Sequence, residues 1–226
     1  MSEPWLSVII PALDEAAVIR RTLLPLQGWR DQGVELILVD GGSQDDTLAL
    51  ASGLVDRQLS VPRGRAQQMN AGAGQARADL YFFLHADTEV APLPALAALR
   101  RFPGGDHWGW FDVRLSGQHY LFPLIGWLMN WRSALTGIVT GDQGLVIRRS
   151  LFRAVGGFPE QPLMEDVAMS RQLKQLERPV RLGRYLCTDS RRWRERGVWR
   201  TVWLMWSLRL RYFLGADPAG LARRYR

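Results

Sequence analysis

Over the first 90 positions, apolar residues fall into short unbroken runs separated by amphipathic stretches. Residues 6–11, 35–40 (ELILVD) and 80–84 (LYFFL) have the length and density of strands buried on both faces, as in a parallel sheet. Residues 59–61 form a shorter candidate. Between the runs, 14–26 carry helical spacing at Ala17, Leu23 and Leu24, and 65–76 form a small-residue-rich helix. Ser43-x-x-Asp46 reads as a capped helix start, extending to about Val55. Strands alternating with helices predict a doubly wound α/β domain.

The second half is less regular. Residues 108–115 (WGWFDVRL) and 144–148 (GLVIR) read as strands, and 120–135 as an aromatic, amphipathic segment. A short helix over 150–155 precedes Gly156-Gly157-Phe158, and a longer one covers 166–176. Residues 198–214 form a helix with Trp199, Trp203 and Trp206 on neighbouring faces. No repeat, low-complexity segment or linker interrupts the chain. Residues 1–226 are therefore read as one domain. Residues 1–90 are its regular half, 91–195 build the other side of a cleft, and 196–226 form a basic, Trp-rich helical segment.

Composition adds bounds. The chain has 226 residues, 47% of them hydrophobic and 23% charged, enough for one good core. Cys187 is the single cysteine, which excludes an internal disulfide and fits a reducing compartment. The apolar stretch 6–13 is broken by Pro11 and followed by Asp14-Glu15, so it reads as a strand and not a signal peptide. The longest uncharged run, 17 residues between Arg114 and Arg132, is too short and polar for a span of ~20 apolar residues.

Charge is uneven. Residues 178–226 hold 13 Arg and 3 acidic residues, while 1–177 carry 16 basic and 19 acidic. Every basic residue except Lys174 is arginine, whose planar fork suits phosphate. A coding bias explains the preference equally well. The basic tail suits a pyrophosphate, an anionic lipid or nucleic acid.

Candidate chemistry sits at strand ends, where open α/β sheets bind ligands. Asp40 ends the second strand, and Gly41 and Gly42 permit close backbone approach to a ligand. Its carboxylate suits a base N–H or a ribose hydroxyl; the bland alternative is a capped turn. Asp87 follows the most apolar strand and suits Mg²⁺ or Mn²⁺, which take oxygen ligands and bridge substrate phosphates. His85 is a second ligand, a phosphate contact or a packed strand-end histidine. Glu165-Asp166 opens a helix, where the dipole favours the ionised acid. An ionised carboxylate there can take a proton from an attacking hydroxyl. Arg63 and Arg65 precede a helix, a good anion site. Residues 191–197 form a second cationic cluster with an aromatic. No G-x-S-x-G, Walker lysine loop or zinc spacing is present.

In order and spacing, these segments resemble family 2 glycosyltransferases with the GT-A fold, over residues 6 to about 195. Val8-Ile9-Ile10-Pro11-Ala12-Leu13-Asp14-Glu15 is similar to the opening strand and its P-x-x-[ND]-E turn. Asp40-Gly-Gly-Ser-x-Asp-x-Thr is similar to the nucleotide turn, His85-Ala86-Asp87 to the D-x-D metal motif, and Glu165-Asp166 to the E-D motif. Arg192-Trp193 resembles the end of Q-x-x-R-W, although Asp189 stands where glutamine is expected. Arg63-Gly-Arg-Ala-x-Gln-x-Asn70 with Leu-His-Ala-Asp-Thr resembles a bacterial subfamily labelled "transferase 2, rSAM/selenodomain-associated".

The resemblance implies a Rossmann-like, mostly parallel mixed sheet with helices on both faces. It also implies inverting, metal-dependent transfer from a nucleoside diphosphate sugar, with UDP the family's usual nucleotide. The donor residues implied are Pro11, Asp14, Glu15, Asp40, Gly41, Arg63, Arg65, Asn70, Ala86, Arg192 and Trp193. Asp87 and His85 are implied for the metal, Asp166 and Glu165 for catalysis, and Asp142 and Gln143 for the acceptor side. A small-molecule or lipid-linked acceptor is expected. So is a cytoplasmic location, with the basic C-terminus able to touch the inner face of the membrane; nucleic acid is not expected. Two other readings stand beside it. One is a binding module for membrane surfaces or nucleic acid on a degenerate fold. The other is a nucleotidyltransferase, which usually needs a Gly- and Lys-rich loop where Leu13-Asp14-Glu15 stands.

Overall fold

The computed structural model describes residues 3–225, apart from the side chain of Arg192. Its strands are β1 (Leu6–Ala12), β2 (Val34–Asp40), β3 (Arg57–Ser60), β4 (Leu80–Phe83), β5 (Thr88–Val90), β6 (Trp108–Leu115), β7 (Leu145–Arg148) and β8 (Val180–Thr188). They form one sheet in the order β3-β2-β1-β4-β7-β6-β8-β5. The β3-β2-β1-β4 run is parallel, as is β6 with β8. β7 and β5 run antiparallel to their neighbours. The sheet is therefore mixed and mostly parallel, as expected.

The helices, in chain order, are α1 (Ile19–Leu23), α2 (Gln27–Arg30), α3 (Thr47–Ala51), α4 (Arg65–Gln75), α5 (Pro92–Arg100) and α6 (Phe122–Thr136). They continue with α7 (Arg149–Ala154), α8 (Glu165–Leu176), α9 (Arg191–Arg196), α10 (Val198–Phe213) and α11 (Pro218–Tyr225). Alternate residues of a strand face opposite sides of the sheet, and the core divides accordingly. Val8, Ile10, Leu36, Leu38 and Phe82 pack under Ile19, Leu23, Trp29, Leu96 and Leu99 of α1, α2 and α5. Ile9, Ile37, Val39, Tyr81 and Phe83 pack under Met69, Phe152, Met169 and Leu173 of α4, α7 and α8. Burial on both faces explains why β1, β2 and β4 read as unbroken apolar runs.

Gly72 fixes how closely α4 lies on the sheet: a Cβ there would stand 2.5 Å from Ile9 Cγ2 and 3.0 Å from Val39 Cγ2. That close seat brings Arg65, at the first turn of α4, to the strand ends.

Several expectations change. The helix expected over 14–26 begins only at Ile19 and gives way to a 3-10 turn at Leu24–Leu26. Pro25, in that turn, has no amide to donate. Asp14 instead occupies a left-handed conformation, φ 54°. The helix expected from Ser43 shrinks to Thr47–Ala51, because Ser43 is engaged with Asp40 and Asp14 in the turn. β5, α5 and β8 were not expected. β8 carries Arg181, Gly183 and Arg184 and is half exposed, so it lacks the apolar signature of the others. Its pairing with β6 and β5 is a long-range choice.

Candidate functional site

A cleft of about 930 Å³ opens at the carboxyl ends of the central strands. Its polar wall includes Glu15, Arg65, His85, Asp87, Asp142 and Arg191. Trp127 and Trp131 of α6 and Trp206 of α10 form apolar wall opposite. Among the described residues no helix is long and apolar enough to cross a membrane.

The segment after β4 places His85 and Asp87 and is pinned from two sides. Thr22 Oγ1 of α1 donates to the Ala86 carbonyl at 2.7 Å, and the Asp189 N–H donates to the Asp87 carbonyl at 3.1 Å. Asp189 also accepts Arg21 Nη2 at 2.8 Å. The backbone of residue 189 thus ties the end of β8 to the Asp87 loop, while the Asp189 carboxylate, standing where glutamine was expected, holds Arg21 of α1. Next to it, Arg191 Nη2 pairs with Glu15 at 3.2 Å. Burial, then the nearby Asp87 charge, raise the Glu15 carboxyl above its ordinary range, with Arg191 opposing.

Across the cleft, Gly141–Gln143 form a 3-10 turn. Any side chain at Gly141 would collide with the His85 imidazole, so glycine lets the two loops meet. Asp142 Oδ1 lies 3.5 Å from His85 Nδ1. Asp166, in the first turn of α8, accepts the Gly141 N–H at 2.9 Å and the Val167 N–H at 2.7 Å. Glu165 is buried and paired with Arg65 at 3.3 Å. Burial first, and the adjacent Glu165 carboxylate second, push the Asp166 carboxyl up from 3.8 to about 6. The Gly141 N–H and Arg65 hold it from rising further. A carboxyl in that range is ionised at neutral pH yet basic enough to accept a proton.

Among the described residues no group of three His, Cys, Asp or Glu side chains forms a metal cage. Asp87 and His85 nevertheless line one cleft. A divalent ion of the Mg²⁺ type commonly takes one or two protein ligands and completes its shell with water and substrate phosphates. This donor set fits such an open site.

The other expected residues divide between the cleft and the frame around it. Trp193 lines the cleft; the Arg192 side chain lies outside the described residues. Asp40 is only 2% exposed, and its carboxylate accepts the N–H groups of Gly42 and Ser43 at 2.9 and 3.0 Å and the Ser43 hydroxyl. Asp14 accepts the Gln44 N–H at 2.8 Å in the same turn. Both hold the turn and neither lines the cleft. Pro11 and Ala86 are buried, Gly41 is seated against the Gln68 amide, and Arg63 is exposed off the cleft. Asn70 exchanges two hydrogen bonds with the Phe158 backbone, at 2.8 and 2.9 Å, and so joins α4 to the turn before α8. Gln143 is fully buried and accepts Ser133 Oγ at 2.7 Å, so it shapes the turn that presents Asp142.

Three residues escaped the sequence reading. Arg191 stood in a recognised basic cluster without a partner to single it out. Arg132 followed an apolar run that looked purely structural. Gln68, whose amide donates to the carbonyls of Ala12 and Val39 at 2.7 and 2.9 Å, stood in the Arg63–Asn70 motif with no role of its own assigned.

A parallel nucleotide-type half, joined through an antiparallel strand to a second half that closes a cleft over the strand ends, is the GT-A architecture. The solved mannosyltransferase PcManGT from Pyrobaculum calidifontis, in complex with GDP-Man and Mn²⁺, superposes with a TM-score of 0.66 at 18% identity, covering 100% of this chain and 70% of that one. Glucosyl-3-phosphoglycerate synthase from Mycobacterium tuberculosis, in complex with Mn²⁺, UDP and phosphoglyceric acid, gives 0.61 at 22% identity, covering 88% and 75%.

The glycosyl transferase family 2 model matches residues 7–120, half of the 226, and the chain belongs to that family. An uncharacterized glycosyltransferase of Mycobacterium tuberculosis is 33% identical over 126 residues, 51% of this chain and 48% of the relative. The chain spans about half the length of the curated relatives it matches.

Proposed function

We propose that the chain transfers a sugar from a nucleoside diphosphate sugar, a UDP-sugar first among candidates, to an acceptor hydroxyl with inversion. The observation that carries this reading is Asp166. Its carboxyl is pushed up to about 6, is held by two backbone N–H groups and lines, with His85, a small pocket that meets the cleft at His85. Asp166 takes the proton of the acceptor hydroxyl. The freed oxygen pair attacks the anomeric carbon, and the bond from that carbon to the diphosphate oxygen breaks, its pair leaving with the nucleoside diphosphate. Arg65 and Arg191 stand on the cleft wall to offset the leaving charge. Asp87 and His85 would hold Mg²⁺ or Mn²⁺, which supplies Lewis-acid neutralisation of a diphosphate when bound. The Asp14–Asp40 turn frames the base and ribose end. The nucleotides and Mn²⁺ bound in the two solved neighbours support this reading.

The test is incubation with UDP- and GDP-sugars and Mn²⁺ or Mg²⁺, reading released nucleoside diphosphate and the anomeric configuration of the product by NMR. Inverted product supports the reading. Retained configuration overturns the single displacement, and no release with any donor overturns the transfer.

Membrane contact is a second element of the proposal. Trp199, Trp203 and Trp206 of α10 are 70, 78 and 69% exposed, close in sequence to Arg200, Arg209 and Arg211. Trp127 and Trp131 of α6 are also exposed. Aromatic faces beside arginines suit an interfacial helix and a lipid-linked acceptor. Flotation with anionic vesicles at moderate salt checks this, and absence of binding removes it.

A further inference from the structure

Arg132 has no part in the transfer just described, yet its surroundings are unusual for a charge. It lies on α6 and lines the cleft. Its Nε and Nη1 are shut off from water and have no hydrogen-bond partner among the described residues. Nη2 alone is used, at 3.1 Å from Ser133 Oγ, 3.3 Å from Thr140 Oγ1 and 3.4 Å from Gln143 Oε1. Arginine carries five N–H donors and no acceptor. A buried donor left unpaired is costly, more so when charged. Among the described residues no carboxylate sits at ion-pair distance from Arg132. Asp142 and Asp166 favour the charge from farther off, but burial outweighs them and lowers the pKa of Arg132. The three oxygens on Nη2 meanwhile fix where the side chain lies.

A held, buried, under-used guanidinium inside a substrate-sized cleft is complementary to an anion that arrives with the ligand. We propose that Arg132 is an anion anchor, receiving a phosphate or carboxylate of the bound substrate on the donors the protein leaves idle. The proposal rests on the transferase reading only for the source of that anion, which is either the donor diphosphate or an acidic group on the acceptor. Small movements of the flanking side chains are needed to admit it. The aromatic walls then strengthen the pairing by excluding water.

The test measures binding of UDP, GDP and phenyl phosphate by calorimetry to wild type, Arg132→Met and Arg132→Lys, together with the unliganded melting temperature of each. Wild type is expected to bind at least one probe, and Arg132→Met to weaken it roughly 10- to 100-fold, the scale of a lost charged hydrogen bond. Arg132→Lys, which keeps the charge with fewer donors, is expected to fall between. Loss confined to the nucleotides assigns the anchor to the donor diphosphate; loss confined to phenyl phosphate assigns it to an acidic acceptor. Unliganded Arg132→Met is expected to melt no lower than wild type, because it removes an unpaired buried charge. A drop of more than a few degrees makes the guanidinium a fold-holding group and overturns the anchor. So does equal affinity of Arg132→Met and wild type for every probe, or failure of wild type to bind any. Failure of both nucleotides to bind while phenyl phosphate depends on Arg132 sinks the transferase reading and leaves the anchor standing.

Discussion

Two clusters of charge lie at the ends of the same sheet and are satisfied in opposite ways. Where the loops after β1 and β2 meet, the carboxylates of Asp14 and Asp40 accept N–H or O–H groups of the turn that follows Asp40, and Asp40 is nearly sealed from solvent. Around Asp166 and Arg132 the accounts stay open. One carboxyl is pushed up to about 6 beside a second carboxylate, and a buried guanidinium has two nitrogens without partners. A saturated cluster stabilises geometry. An unsaturated one is less stable by itself and ready to be completed by a ligand or a proton. Perturbed groups at a cleft are where chemistry is expected, and with Arg132 on the cleft wall and Asp166 in the small pocket beside it, the second cluster carries the proposal and the first frames it.

The largest effect is expected from the metal side. Asp87→Ala, or chelation of the wild type, should remove several kcal/mol of transition-state charge stabilisation, roughly a 10³- to 10⁵-fold loss in turnover. Turnover indifferent to both would dissolve the open metal site. Asp166→Asn should lower turnover by about 10² to 10⁴, the range of general-base help, and a variant as fast as wild type ends the base assignment.

Next comes pH. With a carboxyl near 6, the transfer rate should fall about tenfold per unit below that pH. Stability should move in the opposite sense. The Asp166 carboxyl sits above its ordinary 3.8 in the folded chain, so its favourable contribution is present below about pH 4 and lost as pH rises through about 6. Asp166→Asn is therefore expected to melt at or above wild type at pH 7.5. A clearly lower melting temperature would mean that the carboxylate is a stabilising group like Asp40.

Smaller effects test the frame. Gly72→Ala must push α4 off Ile9 and Val39, a cost of about 1–3 kcal/mol by denaturant melts. Asp40→Asn should cost about 1–2 kcal/mol of stability through its turn while changing nucleotide affinity by no more than a few-fold. A large affinity loss at unchanged stability would place Asp40 with the open cluster and erase the contrast.

Much of this was legible along the chain. The apolar runs at β1, β2 and β4 announced themselves because strands buried on both faces need no polar alternation, and the acidic residues after them sat where ligand sites form. Glu15, Asp87, Asp142 and Trp193 do meet in one cleft. Asn70, by its place in a motif, and Gln143, by the family resemblance, looked chemical and turned out to brace turns, since neither signal says which hydrogen bonds the amide has already formed. β8 was missed because its alternate residues face solvent and its partners lie about 70 to 100 positions away in sequence.

Local pattern by itself determined the buried strands β1, β2 and β4, helix α4 and the residue types at the strand ends, because periodicity and turn chemistry act over a few residues. Only the tertiary structure decided which charges meet. It sealed Asp40, joined Arg191 to Glu15, set Glu165 beside Arg65 and left Arg132 without its full set of partners. Burial and pairing depend on neighbours far along the chain, and these determine whether a charged side chain holds the fold or waits for a substrate.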